Sequence, residues 1–228
     1  VDSGLSFHNG LIMAGIFSFP VTYIGWSYTS KIVPFFLKDP TTISLAIEYT
    51  SVVFVSLFFS VFSFVFVGFY TGVEKTKIHM TVTITSNLIN LYLNAALIYG
   101  SDGVESFFRD VVPSLSFLSA IWGWASFPAM GVKGAALATL IASAWMVVHY
   151  FLYLFSKDIK NRFGIFSFSY NQKMMQRQLR LALPMGIQEC IIAFGWTFFL
   201  KVVGIIGVVE LATTHIIFTI MHASFMPA

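Results

Sequence analysis

Three asparagines repeat along one apolar stretch of the chain. Asn87, Asn90 and Asn94 lie within the apolar run 78–100, and on a helix their side chains fall within about 60° of one another. Unpartnered polar groups are costly in hydrocarbon, so we expect this face to look into a bundle interior or a wet cavity. There the amides would coordinate Na⁺ or bond to a carboxylate, as in a transporter. The alternative is that they are hydrogen-bonding contacts between packed helices.

The composition indicates that this face belongs to a membrane protein. The chain is 57% hydrophobic and 10% charged, whereas an average soluble domain is about 25% charged. Stretches long enough to cross a bilayer core of about 30 Å are residues 11–37, 43–70, 78–100, 129–156 and 181–206, with a sixth starting at Leu211. We therefore expect an all-α, polytopic transmembrane helical bundle. Because Val1 is not an initiator Met and the sixth stretch stops at Ala228, we expect a partial bundle from a longer protein.

The charges of the loops predict the orientation of the spans. Loop 71–79 carries Lys75 and Lys77, whereas loop 101–128 is mainly acidic. The loop 157–180 carries six basic residues: Lys157, Lys160, Arg162, Lys173, Arg177 and Arg180. Basic loops stay in the cytoplasm, so the first span runs from inside to outside. We call the helix ends on the side of Lys75 the inner ends.

Two further segments are predicted to lie at the membrane surface. Residues 173–180 mix apolar and basic side chains, which favours a short interfacial helix. Residues 111–127 are apolar but interrupted by Pro113 and Gly123, and they carry Trp122 and Trp124. This outer segment is typical of a half-inserted or surface-lying element rather than of another crossing.

Several stretches, in this order, resemble one family. They are Leu-Lys-Asp-Pro at 37–40 with Ala-Ile-Glu-Tyr at 46–49, the asparagine-bearing stretch 87–100, Gly-Val-Lys-Gly-Ala-Ala-Leu-Ala-Thr at 131–139, Leu-Ala-Leu-Pro-Met-Gly-Ile-Gln at 181–188, and the Gly-Ile-Ile-Gly and Glu-Leu-Ala stretches within 204–212. The chain resembles the MATE (multidrug and toxic compound extrusion) transporters. The resemblance implies a twelve-helix, two-lobe protein, of which this chain holds about helices three to eight. It assigns residues 1–156 to the N-terminal lobe, 157–180 to a cytoplasmic linker between the lobes and 181–228 to the start of the C-terminal lobe.

The resemblance also implies a site for the coupling cation. The family's polar residues in the first lobe correspond to Asn90, Asn94 and Thr139, with Asn87 as a neighbour, and the family's partner Asp would lie upstream of Val1. Some relatives have Asp at the position of Asn94. The alternative is that these Asn and Thr side chains form hydrogen bonds between packed helices.

A second candidate site lies in the predicted start of the C-terminal lobe. Glu189, beside Gln188, lies five residues after Pro184, whereas family members carry a functional Glu eight residues after the corresponding proline, where this chain has Ile192. Glu189 is therefore a candidate proton or substrate site, displaced along one helix face. Alternatively, it is a headgroup-level residue beside Pro184.

The resemblance implies a secondary active antiporter. It would export organic, cationic or amphipathic compounds in exchange for H⁺ or Na⁺ by alternating access. No enzymatic activity, nucleic-acid partner, cofactor or metal site is expected beyond Na⁺ at Asn90 and Asn94. The expected setting is the lipid bilayer of a bacterial inner membrane, with the protein as a monomer. Two alternatives stay open: a lipid-linked oligosaccharide flippase of related fold, and a non-transporting membrane scaffold.

Overall fold

The chain folds into long helices. The computed structural model describes residues 2–37, 39–111, 113–156, 159–160, 163, 165 and 170–225. These residues form α1 (Asp2–Phe36), α2 (Pro40–Gly72), α3 (Thr76–Asp110), α4 (Val132–Leu154), α5 (Gln172–Ile206) and α6 (Val208–Phe225), with no strand among them. Of these, α1 to α5 are long and apolar enough to cross a membrane. The predicted all-α transmembrane bundle is thereby confirmed.

The helix ends differ from the predicted spans in two places. Helix α1 begins at Asp2, well before the predicted start at residue 11. The separate interfacial helix predicted for residues 173–180 is wrong, because these residues are the first turns of α5. Lys, Met, Gln, Arg and Leu are good helix formers, and no breaker separates them from the apolar run that follows. Lys157 and Arg162 of the predicted linker lie outside the described residues.

The chain divides into two compact units between Asn171 and Gln172. In the first unit, α1 packs on α2, α2 on α4 and α4 on α3. A buried hydrophobic cluster lies at the inner ends of these helices and comprises Phe7, Phe66, Phe69, Tyr70, Val82, Tyr150, Leu154, Ile159 and Ile165. In the second unit α5 packs on α6, where the rings of Trp196 and Phe218 meet edge to face at 4.3 Å. The lobe and linker boundaries inferred from the sequence remain predictions.

Gly134 lies at a close crossing of α3 and α4. A Cβ atom at this position would overlap the backbone carbonyl of Leu97. The two backbones can come this close because glycine has a hydrogen atom in place of a side chain. Small residues at such crossings let membrane helices approach closely, and packing then stabilises the pair. This contact holds the asparagine-bearing part of α3 against the start of α4.

Helix α3 is interrupted at Gly100, the residue at which the predicted span ends. Gly100 has φ +72° and ψ 171°, a conformation that favours glycine. The backbone N–H groups of Met130 and Gly131 donate to the carbonyls of Leu97 and Ile98 at 2.8 and 3.2 Å. These bonds satisfy carbonyl groups that the interruption releases from the helical ladder. The returning loop is therefore fixed directly to the outer part of α3.

The outer segment 111–127 does not form a further crossing in the described residues. It contains a 3₁₀ helix, Pro113–Ile121, of nine residues. At about 2 Å rise per residue this helix spans roughly 18 Å, well short of a bilayer core of about 30 Å. Trp122 and Trp124 follow it, and their indole N–H groups donate to the backbone carbonyl and to the hydroxyl of Tyr92. The segment is thus fastened to the side of α3.

Asp39 starts α2, and its contribution to stability depends on pH. Its carboxylate accepts hydrogen bonds from the Thr42 hydroxyl at 2.6 Å, the Thr42 backbone N–H at 2.8 Å and the Thr41 hydroxyl at 2.8 Å. These bonds, the Thr42 hydroxyl foremost, hold the pKa of Asp39 below its ordinary value of 3.8. Because the pKa is lower in the folded protein, the stabilisation is present above the ordinary value and is lost as the pH falls through the lowered one.

We expect Asp39→Ala to lower the melting temperature near neutral pH, because it removes the cap of α2. The difference from the wild type should shrink as the wild-type carboxylate protonates. Asp39→Asn is the matched control: it keeps a capping oxygen and should retain stability without this acid dependence. Thermal unfolding of the three proteins across an acidic pH series checks both statements. A deficit in Asp39→Ala that is the same at every pH would contradict the assignment of the effect to the ionised carboxylate.

Candidate functional site

Asn90 and Asn94 form a hydrogen-bonded pair on α3. The side-chain N–H of Asn94 donates to Oδ1 of Asn90 at 2.9 Å, and both side chains are half-buried. Residues four apart are neighbours on a helix surface, so this bond follows directly from the spacing. It fixes the orientation of the Asn94 amide and leaves its oxygen outside the pair, as a ligand for a cation or an acceptor for a donor.

A cavity of approximately 480 Å³ lies beside this pair. It is lined by Tyr49 from α2, by Leu91, Asn94, Ala95, Ile98 and Tyr99 from α3, and by Ala135 and Thr139 from α4. The wall contains amide, hydroxyl and phenol groups, and none of the described residues that line it is charged. Such a wall can replace part of the hydration shell of a monovalent cation or hold the polar edge of an organic molecule.

Thr139 faces the same cavity as Asn94. Its hydroxyl donates to the backbone carbonyl of Ala135 at 3.1 Å, which satisfies its single hydrogen inside α4. The oxygen lone pairs therefore remain the part of the group that can act on a cavity occupant. The close crossing at Gly134 explains why residues so far apart in the sequence share one wall, because it presses the start of α4 against this part of α3.

The four residues inferred for the first-lobe site are not equally placed. Asn94 and Thr139 line the cavity, and Asn90 is joined to it through its bond to Asn94. Asn87, by contrast, is exposed on α3 and is not part of the lining. The structure thus brings three of the four together, and Asn87 stands apart.

Two tyrosines in the cavity wall were not identified from the sequence. Tyr49 and Tyr99 contribute phenol rings from α2 and α3. The signal for Tyr49 was its place at the end of the Ala-Ile-Glu-Tyr stretch 46–49. Periodicity within α2 does not reveal it, because the cavity is formed by contacts between helices. Its neighbour Glu48 is exposed and is not among the residues that line the cavity.

The candidate site on α5 is a shallow groove on one helix. Pro184, Ile187, Gln188, Ile191 and Ile192 line a space of approximately 550 Å³. Gln188 and Ile192 therefore share this face, four residues apart. Glu189 is exposed and does not line the groove. A role of Glu189 as a proton or substrate site remains a prediction.

Comparison with known proteins gives two matches. Residues 2–96 match the model of the MatE family, a region that includes Tyr49, Asn90 and Asn94. The chain is 28% identical over 188 residues to a probable multidrug resistance protein, NorM, of Thermotoga maritima. This alignment covers 81% of the chain and 35% of the relative, so the chain spans about a third of the length of the curated relative it matches. No solved structure matches the chain significantly.

Proposed function

We propose that this chain belongs to the MATE family, to which both matches point, and that it forms part of a secondary active antiporter that exports organic compounds in exchange for H⁺ or Na⁺. The name of the bacterial relative, a probable multidrug resistance protein, supports efflux of toxic compounds as the overall role. Membership of this family supports transport rather than covalent catalysis. Residues 1–156 would then be part of the first lobe and residues 181–228 the start of the second, joined by the linker 157–180.

The observation that carries the proposal is the meeting of Asn94 and Thr139 in one cavity, with Asn90 bonded behind Asn94. Polar side chains inside membrane helices are costly and are concentrated along ion and substrate pathways. If Asn90 and Asn94 served only to pack helices together, each amide would need no more than one hydrogen-bond partner. The cavity instead leaves the Asn94 oxygen and the Thr139 oxygen at an open wall, where an ion or a donor can reach them.

The cavity wall also supports organic cations as substrates. Tyr49 and Tyr99 line the same cavity as Asn94, and the faces of phenol rings attract cations. Apart from Thr139, the remaining wall is aliphatic, which suits the apolar body of an amphipathic compound. We expect the protein to act as a monomer in the lipid bilayer. Given its bacterial relative, we expect that bilayer to be a bacterial inner membrane.

Flux measurements on the full-length protein in proteoliposomes test the proposal. A fluorescent organic cation is followed while a pH gradient or a Na⁺ gradient is imposed separately, with the membrane potential clamped. We expect one of the two gradients to drive transport, and that gradient names the coupling ion. No gradient-driven flux with either ion would contradict the antiporter, and movement of a labelled lipid-linked sugar in the same vesicles would point to a flippase.

A further inference from the structure

The inner part of α5 carries three basic side chains on one face. Lys173, Arg177 and Arg180 follow one another at intervals of four and three residues, and all three are exposed. At 100° per residue they fall within about 60° of one another, and at 1.5 Å per residue they span roughly 11 Å. We call these three residues the basic stripe. Glu189, the acidic residue of α5, lies at least about 120° away from each of them around the helix.

The groove on α5 continues the basic stripe into the membrane. Among its lining residues, Pro184, Ile187, Gln188 and Ile191 lie within about 60° of the direction of the stripe, and Ile192 lies at the edge of the same face. The side chains of Ile187, Ile191 and Ile192 are 59%, 66% and 55% exposed. From Arg180 to Ile192 the helix rises roughly 18 Å, close to the about 15 Å of hydrocarbon in one leaflet.

One continuous helix fixes the stripe relative to the groove. Residues 173–180 are the first turns of α5 and not a separate interfacial helix, so the basic side chains and the groove turn together. The orientation predicted from the loop charges places the stripe at the inner surface and the groove in the inner leaflet. Pro184 lies at the junction and has no backbone N–H, so the carbonyl of Arg180 cannot receive the helical hydrogen bond from it. This carbonyl is an acceptor at the level of the lipid headgroups.

We propose that this face of α5 binds an anionic phospholipid of the inner leaflet. The guanidinium groups of Arg177 and Arg180 bind the phosphate, because their planar forks match phosphate oxygens. Lys173 adds positive charge one turn further out, and one acyl chain lies in the groove. Charge and groove together select a ligand that joins a negative headgroup to a long apolar chain. The inference depends on the orientation of α5 and not on the proposed antiport.

A general role in orientation is the alternative for the basic stripe. Basic residues at inner helix ends also keep a segment on the cytoplasmic side. In that case an exposed basic residue elsewhere on the inner surface would attract anionic lipids equally well, and the groove would have no effect on binding. Lys77, exposed near the start of α3, offers this comparison, because it lies on the inner side but outside the stripe.

Arg177→Gln and Arg180→Gln test the phosphate contacts. Binding of dioleoyl phosphatidylglycerol to the purified full-length protein in detergent is titrated by native mass spectrometry, with dioleoyl phosphatidylcholine as the lipid of equal chains and no net charge. We expect each variant to weaken binding of phosphatidylglycerol about fivefold and to leave binding of phosphatidylcholine unchanged. Lys77→Gln is the matched control and should stay within about twofold of the wild type. Gln is a good helix former, so the helix is preserved.

Ile191→Ala tests the groove. It removes apolar surface from the middle of the groove, and we expect it to weaken binding of dioleoyl phosphatidylglycerol at least about threefold. Ile205→Ala is its control, because Ile205 is 79% exposed near the outer end of the same helix and does not line the groove. On the wild type, dihexanoyl phosphatidylglycerol should bind at least about tenfold more weakly than the dioleoyl lipid, and inorganic phosphate should not displace the dioleoyl lipid.

Each outcome decides for or against the lipid site. Weaker binding in both Arg variants and in Ile191→Ala, with both controls unchanged, supports it. An equal loss in Lys77→Gln would show general attraction to the basic surface and would overturn the site. Binding that is independent of chain length, or displacement by inorganic phosphate, would assign the stripe to a free anion instead. The chain-length comparison needs no variant, and the measurements need no flux, so a failure of the antiporter is recognised separately.

Discussion

Asn94→Leu is expected to abolish ion-driven flux while leaving the protein folded. Leu has a similar volume, but it removes the N–H that bonds to Asn90 and the oxygen at the cavity wall. Loss of one hydrogen bond between polar side chains in a membrane protein costs about 0.6–2 kcal/mol, which a multi-helix bundle tolerates. The effect on coupling should be far larger, because on the proposed assignment the ion would lose a direct ligand. Flux in proteoliposomes, at matched protein insertion, measures it.

Ile98→Leu is the control for this variant. Ile98 lines the same cavity, and the exchange conserves volume without touching a polar group, so transport should stay within about twofold of the wild type. Thermal unfolding of both variants shows whether folding is preserved. If Asn94→Leu transported at the wild-type rate, Asn94 would be a packing residue, and the site would have to be reassigned.

Gly134→Val is expected to have the largest effect on stability. The added side chain would overlap the carbonyl of Leu97, and backbone atoms cannot move aside as a flexible side chain can. Forcing α3 and α4 apart should destabilise the protein by about 3 kcal/mol and separate Asn94 from Thr139. Melting temperature and yield of folded protein in detergent, together with flux, measure both consequences.

Gly68→Ala serves as the comparison for this substitution. Gly68 lies on α2, and no atom approaches the position of its added Cβ within 4 Å. Alanine has the higher helix propensity, so this variant should be as stable as the wild type or slightly more stable. A Gly134→Val protein that melts with the wild type would show that α3 and α4 are not held together by this crossing.

Much of the helical layout is readable from the sequence. The apolar runs predict the five membrane-spanning helices, and the predicted end of the third run coincides with the break at Gly100. The extensions of α1 to Asp2 and of α5 to Gln172 were missed. Helices continue beyond the hydrocarbon core through polar and basic residues. Hydropathy does not predict these extensions, because polar and basic residues are compatible with both helix and loop.

Only part of the candidate site can be predicted from the sequence. The spacing of Asn90 and Asn94 predicts their pairing, because the period of one helix contains that information. The same period cannot show that Asn87 is exposed, since this depends on where the neighbouring helices lie. Tyr49 was missed for the related reason that α2 meets the cavity through tertiary packing.

Ion counterflow tests the central claim most directly. Proteoliposomes of the full-length protein are loaded with an organic cation and diluted into cation-free buffer, with equal pH and Na⁺ on both sides and the membrane potential clamped. Internal pH and uptake of labelled Na⁺ are then followed. We predict that exit of the organic cation drives H⁺ or Na⁺ inward and that Asn94→Leu prevents this movement. Exit of the organic cation with no ion movement, or ion movement that persists in Asn94→Leu, would contradict an antiporter coupled at this site.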